Sequence, residues 1–171
     1  MKFDFLSESD QAYYIHKAST LVEALPYIRE HAGQVFVIKY GGHAMGDLKL
    51  SKSFSKDISL MKEIGILPVI IHGGGPQIGK MLKKKNINSK FVEGLRITNK
   101  ETVQVVESVL SNDINKKIVE EIKSIGGKAI GLAVHKDNLI TAAKLEIQVK
   151  DSNSNIEKIL DIGFVGRPIK I

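Results

Sequence analysis

The chain has 171 residues, of which 43% are hydrophobic and 26% are charged, and it has no cysteine. This composition is typical of one soluble globular domain with a real core, and it excludes disulfides, thiolate metal sites and cysteine nucleophiles. The 25 basic and 19 acidic residues give a net charge of +6, which permits anionic partners.

No apolar run approaches the roughly 20 residues that a membrane helix needs, and the N-terminus lacks the apolar core of a signal peptide. We therefore expect a cytoplasmic protein without a membrane partner. The densest basic cluster, four lysines within residues 80–85, has no aromatic residues among it. It indicates a solvated helix end and not a nucleic-acid surface.

Apolar residues recur on one helical stripe from about Asp10 to Glu30, which predicts an amphipathic helix that Pro26 should break or kink. After Gly33, residues 35–38 predict a buried strand that runs into Tyr40-Gly41-Gly42.

A second helix is predicted around residues 54–64, with Gly65 as the residue that follows its C-cap. Residues 66–71 then predict another buried strand, which ends in His72-Gly73-Gly74-Gly75. Pro76 suits the first position of a short helix that reaches about Lys85.

Residues 98–101 match a capping box, with Thr98 as the N-cap, and open a long helical region that Asn112 or Asp113 divides into two helices. Gly126-Gly127 ends this region. Further strands are predicted at 129–134, 139–145 and 159–165, with a turn at 135–138 and a polar loop at 151–155.

The alternation of strands and helices in the first part of the chain predicts an α/β fold, with a mainly parallel sheet sandwiched by helices. The later strands add a β-hairpin insertion. The chain stops just after a strand and a turn, so we expect the sheet to be incomplete at the C-terminus. Ligands of such sheets bind at the carboxyl ends of the strands.

Two predicted strands end in glycine clusters, around Gly41-Gly42 and Gly74-Gly75. Glycine lets a ligand approach backbone N–H groups closely, and a helix N-terminus after such a turn favours anions. The structural alternative is a pair of tight strand-to-helix turns. Lys39, at the end of the first strand, suits charge neutralisation on a phosphoryl group, although a strand-end lysine also reaches water easily.

Two other phosphate-binding patterns are weaker. Residues 74–80 spell G-x-x-x-x-G-K, but Met81 stands where a P-loop needs Ser or Thr, and Pro76 should start the helix too early. A loose dinucleotide pattern over 73–79, with Glu93 as the ribose acid, lacks the standard spacing.

Arg96 is one of three arginines in a lysine-rich chain. Its position before the capped helix suits either a bidentate carboxylate clamp or a surface ion pair. The five histidines show no metal-ligand spacing, so no protein-bound metal is predicted.

Several of these segments resemble, in order, motifs of the N-acetylglutamate kinases. The first two also occur across the wider amino-acid kinase superfamily, whereas the arginine motif and the closing Gly-Phe-Val-Gly are more specific. The matching residues are 35–45, 72–78, 91–98, 115–116, 126–129 and 161–166. The glycine-poor segment 133–138 and Asn112 depart from the family pattern.

The resemblance implies an amino-acid kinase-like fold and ATP-dependent phosphorylation of the side-chain carboxylate of N-acetyl-L-glutamate, in arginine biosynthesis. ATP would enter with Mg²⁺. Lys39 would be catalytic and Arg96 would pair with the substrate α-carboxylate. The glycines would bind phosphate (Gly41, Gly42) and substrate (Gly74, Gly75).

Family members continue past residue 171 with the ATP-binding part. The resemblance thus divides this chain into a helical extension, 1–32, and an N-acetylglutamate-binding part, 33–171. The extension resembles that of the hexameric branch, with Tyr13 and Tyr14 as candidates for a homo-oligomer contact; the alternative is a helix that covers the sheet. A related amino-acid or carbamate kinase and a non-catalytic substrate-binding fragment remain alternatives.

Overall fold

Helices and strands alternate along the chain in the computed structural model, which describes residues 7–42, 44–133, 139–150 and 157–170. The helices are α1 (Glu8–His31), α2 (Leu48–Glu63), α3 (Gly75–Lys84), α4 (Lys100–Glu107) and α5 (Lys116–Ser124), with a 3₁₀ turn at Ala44–Gly46 and a π-helical segment at Ser108–Asn115. The strands are β1 (Val35–Tyr40), β2 (Leu67–His72), β3 (Phe91–Val92), β4 (Leu95–Arg96), β5 (Thr141–Lys150) and β6 (Glu157–Lys170).

A parallel pair of strands, β1 and β2, lies against the main hydrophobic core. Helices α2 to α5 and the π-helical segment contribute the rest of that core. Its buried members are Tyr40, Ile58, Ile78, Leu82, Val105, Val109, Ile114, Ile118 and Ile122. The predicted mixed α/β class with a parallel sheet and helices is therefore confirmed.

The other face of the β1–β2 pair is open. Val35 and Val37 of β1 are 62% and 69% exposed, and Val69 and Ile71 of β2 are 43% and 54% exposed. Alternate residues of a strand point to opposite faces, so helices cover one face of this pair within the described residues. Of the expected helix–sheet–helix sandwich, the described residues therefore show the helical layer on one face of the sheet.

Helix α1 stands apart from the core, because none of its residues is buried. Ser7 caps it by accepting a hydrogen bond from the Asp10 amide at 3.2 Å. The helix continues through Pro26, so the predicted break is absent. A proline removes one helical N–H donor, and here the hydrogen bonds on either side maintain the helix.

The capping box prediction was wrong by one residue. Asn99, and not Thr98, caps α4, and its side chain accepts from the Thr102 amide at 2.8 Å. The Thr98 hydroxyl instead donates to the Arg96 carbonyl at 2.8 Å. The local pattern could not distinguish two adjacent residues that both make good caps.

The predicted division at Asn112 or Asp113 is a π-helical segment, through which the helix continues. Val109 and Ile114 are both buried there, at 2% and 7% exposure. The i→i+5 hydrogen bonding of a π-helix brings residues five apart closer to the same side than an α-helix does. The wider turn thus keeps both side chains in the core.

The antiparallel pair at the end of the chain differs from the predicted one. It joins β5 to β6, and residues 129–133, which were predicted as a strand, form none. The predicted turn at 135–138 and the predicted loop at 151–155 lie outside the described residues. Asn115 Nδ2 donates to the Leu132 carbonyl at 3.2 Å, so this segment forms a hydrogen bond with a side chain of the helical region.

None of the helices in the described part of the chain combines the length and the hydropathy that a membrane span requires.

One ion pair joins the last two strands, Lys144 Nζ to Asp161 Oδ2 at 2.9 Å. The hydrogen bond from Lys144 lowers the pKa of the Asp161 carboxyl below its ordinary 3.8, and the Gly163 N–H acts in the same direction. A lowered folded-state pKa contributes stability that is present above 3.8 and is lost as the pH falls through the folded-state value.

We therefore expect Asp161→Asn to lower the thermal midpoint slightly at pH 7, because both groups are exposed to solvent. The difference from the parent should vanish on acidification below pH 3.8, which thermal scans across pH would measure. Asp57→Asn, on the exposed surface of α2, is the control and should show no such trend. A constant difference between the Asp161→Asn variant and the parent at every pH would contradict the ion-pair contribution.

Candidate functional site

The two glycine turns leave the sheet at the same edge. Strands β1 and β2 pair in parallel, with Lys39 opposite Ile71 and Tyr40 opposite His72. The Gly73 N–H donates to the Tyr40 carbonyl at 3.1 Å, just beyond the last strand pair. The two predicted turns are thus neighbours at the carboxyl end of the sheet, where α/β proteins bind their ligands.

The turns also touch beyond the strands. A Cβ on Gly42 would lie 2.9 Å from Pro76 Cδ, so a larger residue there would force the turns apart. Gln77 Nε2 donates to the Gly42 carbonyl at 2.8 Å. Gly42 is therefore needed for close approach of the first turn to the start of α3.

The second turn packs against the helical layer. Gly74 is buried, and a Cβ there would lie 2.6 Å from Leu110 Cδ2 and 2.7 Å from Ile114 Cδ1. The chain then enters α3, whose first-turn N–H groups lack helical partners. Among the described residues, Gly41 and Gly75 both border open space. No described side chain blocks the approach of a ligand to their backbone.

Lys39 and Tyr40 point to opposite sides of β1. The Tyr40 side chain is buried at 5% exposure and its ring stacks on Phe54, with centroids 3.8 Å apart. Lys39 is exposed on the open face of the sheet and makes no ion pair within the described residues. Its ammonium group is thus available beside the first glycine turn.

Arg96 lies on a separate small hairpin made by β3 and β4. Positive φ angles at Glu93 and Gly94, of 48° and 78°, close its turn. Arg96 Nη1 donates to the Ser89 hydroxyl, and Cζ lies 4.5 Å from the Phe91 ring centroid. No ion pair holds this guanidinium within the described residues, so its surface ion-pair alternative is not seen there.

Backbone hydrogen bonds join the closing glycine motif, residues 161–166, to the residue Thr98 that follows the arginine hairpin. The Thr98 N–H donates to the Ile162 carbonyl at 2.9 Å, and the Phe164 N–H donates to the Thr98 carbonyl at 2.7 Å. Ile162 is fully buried. Gly163 has a φ of 79°, and a Cβ there would collide with the Thr98 carbonyl. The two motifs with the more specific resemblance therefore form one unit.

Five of the six predicted site residues come together at the sheet edge: Lys39, Gly41, Gly42, Gly74 and Gly75. Arg96 makes no recorded contact with that edge among the described residues. Gly79 and Lys80 lie inside α3, so the P-loop pattern forms no phosphate-wrapping loop. No residue pattern assigned a role to Gln77, whose partner Gly42 lies 35 residues away. Ser89 and Phe91 also had no predicted role, because their contacts with Arg96 depend on how the small hairpin folds back.

A cavity of about 340 Å³ lies behind the first glycine turn, between α2, α3, the π-helical segment and α5. Its lining is mostly apolar and includes Tyr40, Met45, Met81 and Ile118. Two buried polar atoms in its wall, Tyr40 Oη and Gln77 Oε1, have no hydrogen-bond partner in the part of the chain that the structure describes. No cluster of three potential metal ligands occurs within the described ranges.

We expect Gly163→Ala to destabilise the protein by about 1–3 kcal/mol, because it adds both positive-φ strain and a collision with Thr98. Denaturant unfolding would measure the loss. Gly126→Ala is a matched control, since Gly126 has a φ of 87° with no atom within 4 Å of its Cβ position. Equal losses in the two variants would show that the Thr98 contact adds nothing beyond backbone strain.

Comparison with known proteins identifies similar sequences and folds. Residues 34–165 match the amino acid kinase family. The acetylglutamate kinases of Rhodospirillum centenum and Rhodospirillum rubrum are each 54% identical to this chain over 158 residues, which cover 92% of it. Those residues are 52% and 51% of the two relatives, so the chain spans about half their length.

The fold is shared with the N-acetylglutamate synthase of Neisseria gonorrhoeae, which was crystallised with coenzyme A and L-arginine. The TM-score is 0.61 and the sequence identity is 21%, and the match covers 90% of this chain and 34% of the synthase chain. The family match covers most of the chain, including both glycine turns and the arginine hairpin. The chain therefore belongs to the amino acid kinase family.

Proposed function

We propose that this chain is the N-acetylglutamate-binding part of an acetylglutamate kinase, which transfers the γ-phosphoryl group of ATP to the side-chain carboxylate of N-acetyl-L-glutamate. The observation that carries the proposal is the meeting of Lys39 and two glycine turns at one sheet edge. The name and 54% identity of the relatives support the choice of substrate. The product is an acyl phosphate, and the pathway is arginine biosynthesis.

The reaction joins two anions, so the site must reduce their repulsion and align them. A carboxylate oxygen of the substrate attacks the γ-phosphorus, and the bond from that phosphorus to the bridging oxygen of ADP breaks. The Lys39 ammonium stabilises the charge on the transferring group. Backbone N–H groups of Gly41 and Gly42 bind phosphate oxygens. A Mg²⁺ ion bound with ATP would supply further charge neutralisation.

The second turn and the hairpin hold the amino-acid substrate. The Gly74 backbone binds its oxygens, and Gly75 allows close approach because no side chain fills the space beside it. Arg96 pairs with the α-carboxylate through its planar guanidinium. The Phe91 ring and the Ser89 hydroxyl keep that plane in one orientation.

We also propose two units in the chain, a helical extension of residues 1–32 and a substrate-binding part of residues 33–171. The extension is a candidate for homo-oligomer contact, up to a hexamer, because Tyr13 and Tyr14 are 59% and 54% exposed on a helix without buried residues. The second face of the sheet would be covered in the whole protein, as a sandwich requires. The location would be the cytoplasm.

The proposal is tested with the purified chain by calorimetry and by trapping acyl phosphate with hydroxylamine, using ATP and Mg²⁺. N-acetylglutamate should bind at least ten times more tightly than glutamate, aspartate or carbamate. Selective hydroxamate formation would mean that the chain assembles a working site. Selective binding without turnover would mean a substrate-binding fragment, and binding without selectivity would contradict the proposed substrate.

Lys39→Ala should abolish phosphoryl transfer in the full-length protein and change N-acetylglutamate affinity less than about threefold, because the ammonium acts on the transferring group. Lys62→Ala, at the end of α2, is the control. Turnover near the parent rate in the Lys39→Ala variant would exclude this lysine from the mechanism.

Arg96→Lys should weaken N-acetylglutamate binding about tenfold or more, because a point charge replaces a planar fork that also stacks on Phe91. Calorimetry measures the affinity, and Arg29→Lys on α1 provides the matched control. If the two variants bind the substrate equally well, Arg96 does not contact it.

A further inference from the structure

Gln77 links the two glycine turns through its side chain. It lies in the first turn of α3, and its Nε2 donates to the carbonyl of Gly42, 35 residues earlier, at 2.8 Å. Among the side-chain hydrogen bonds of the described residues, this is the one that joins the two turns. At the base, the backbone bond from Gly73 to Tyr40 joins them as well.

These two bonds hold the first turn at two points. The backbone bond fixes its start, at Tyr40, and the Gln77 bond fixes its far side, at Gly42. Pro76 also lies close to Gly42, since a Cβ at Gly42 would be 2.9 Å from Pro76 Cδ. A segment attached at both ends loses most of its freedom to move relative to α3.

The chemistry of the contact requires a donor at position 77. The Gly42 carbonyl can only accept, so the amide of Gln77 must present its NH₂ group. This orientation leaves Gln77 Oε1 buried without a hydrogen-bond partner among the described residues, and a buried unpaired acceptor is destabilising. The Gln77 amide therefore bonds to Gly42 through its NH₂ group while its oxygen stays unpaired among the described residues.

We propose that Gln77 is a positioning residue that sets the distance between the first glycine turn and the start of α3. The phosphate-binding amides of Gly41 and Gly42 are thereby held at a fixed separation from the substrate-binding backbone of Gly74 and Gly75. The consequence for substrate binding rests on the proposed function, whereas the effect on the turn itself does not.

The test uses the whole chain labelled with ¹⁵N and compares Gln77→Leu, which removes the donor, with Gln77→Glu, which replaces it by a carboxylate. Backbone order parameters of Gly41 and Gly42 should fall from about 0.85 to below about 0.6 in both variants at pH 7. Lys83→Leu, a change on the exposed surface of α3, is the control and should leave them unchanged. Gln77→Asn replaces the leucine variant if that variant does not fold, because the asparagine side chain is one methylene too short to reach the Gly42 carbonyl.

Lowering the pH provides a rescue that a general loss of packing would not show. Protonation of the carboxyl introduced by Gln77→Glu restores an O–H donor, so the order parameters of that variant should return toward the parent values. The Gln77→Leu variant should show no such recovery. Order parameters that stay at the parent value in the Gln77→Leu variant would overturn the positioning role.

The ligand arm measures N-acetylglutamate affinity by calorimetry in the same variants. We expect Gln77→Leu to weaken it about five- to tenfold relative to the parent chain at every pH. The carboxylates of N-acetylglutamate titrate in the same range as the new carboxyl, so the Gln77→Glu variant is compared with the parent at equal pH, and the ratio of the two affinities should return toward one at low pH in that variant alone. A mobile turn with unchanged affinity would overturn the coupling between the two turns. A parent chain that does not bind N-acetylglutamate would count against the proposed function, while the order parameters would still decide the role of Gln77.

Discussion

The parallel register of β1 and β2 is the constraint on which the candidate site depends. Tyr40 lies opposite His72, so each strand ends at the same level and its glycine turn meets the other. The bond from the Gly73 N–H to the Tyr40 carbonyl extends this pairing by one step. A shift of one residue would move Lys39 to the helix-covered face and Tyr40 to the open one.

Tyr40 connects this register to the core. Its ring stacks on Phe54 of α2 and lines the cavity beside α3, so both helices are packed around the residue that precedes the first turn. The strand alternation that buries Tyr40 also exposes Lys39. One packing interaction therefore decides which side chain stays inside and which is available for chemistry.

The arginine hairpin and the closing glycine motif form a second unit, which backbone hydrogen bonds of Thr98 hold together. Thr98 bridges to Ile162 and Phe164, and Ile162 is fully buried beneath this bridge. Helix α4 begins directly after the hairpin and packs Val105 into the core. Residues far apart in the chain, at 96 and 163, thus depend on one short backbone contact at Thr98.

Patterns among neighbouring residues were enough to predict the local features of the fold. Helical periodicity predicted α1 and α2, and two short apolar runs predicted β1 and β2. The special backbone of glycine predicted the end of α2 at Gly65, which has a φ of 92°. The sequence also pointed to Lys39 and the glycine pairs as one site, because parallel strands end at one edge. These features depend on residues that are neighbours in the chain.

The partners of residues that are distant in the chain depend on how the helices and strands pack. Asn99 and not Thr98 is the N-cap of α4, because the Thr98 hydroxyl donates to the Arg96 carbonyl. The last strands pair as β5 with β6. Helix α1 buries none of its residues in the core. Gln77 gained its role only through Gly42, and Gly163 through Thr98. Such contacts follow from the packing of whole elements, and no local pattern of residues specifies them.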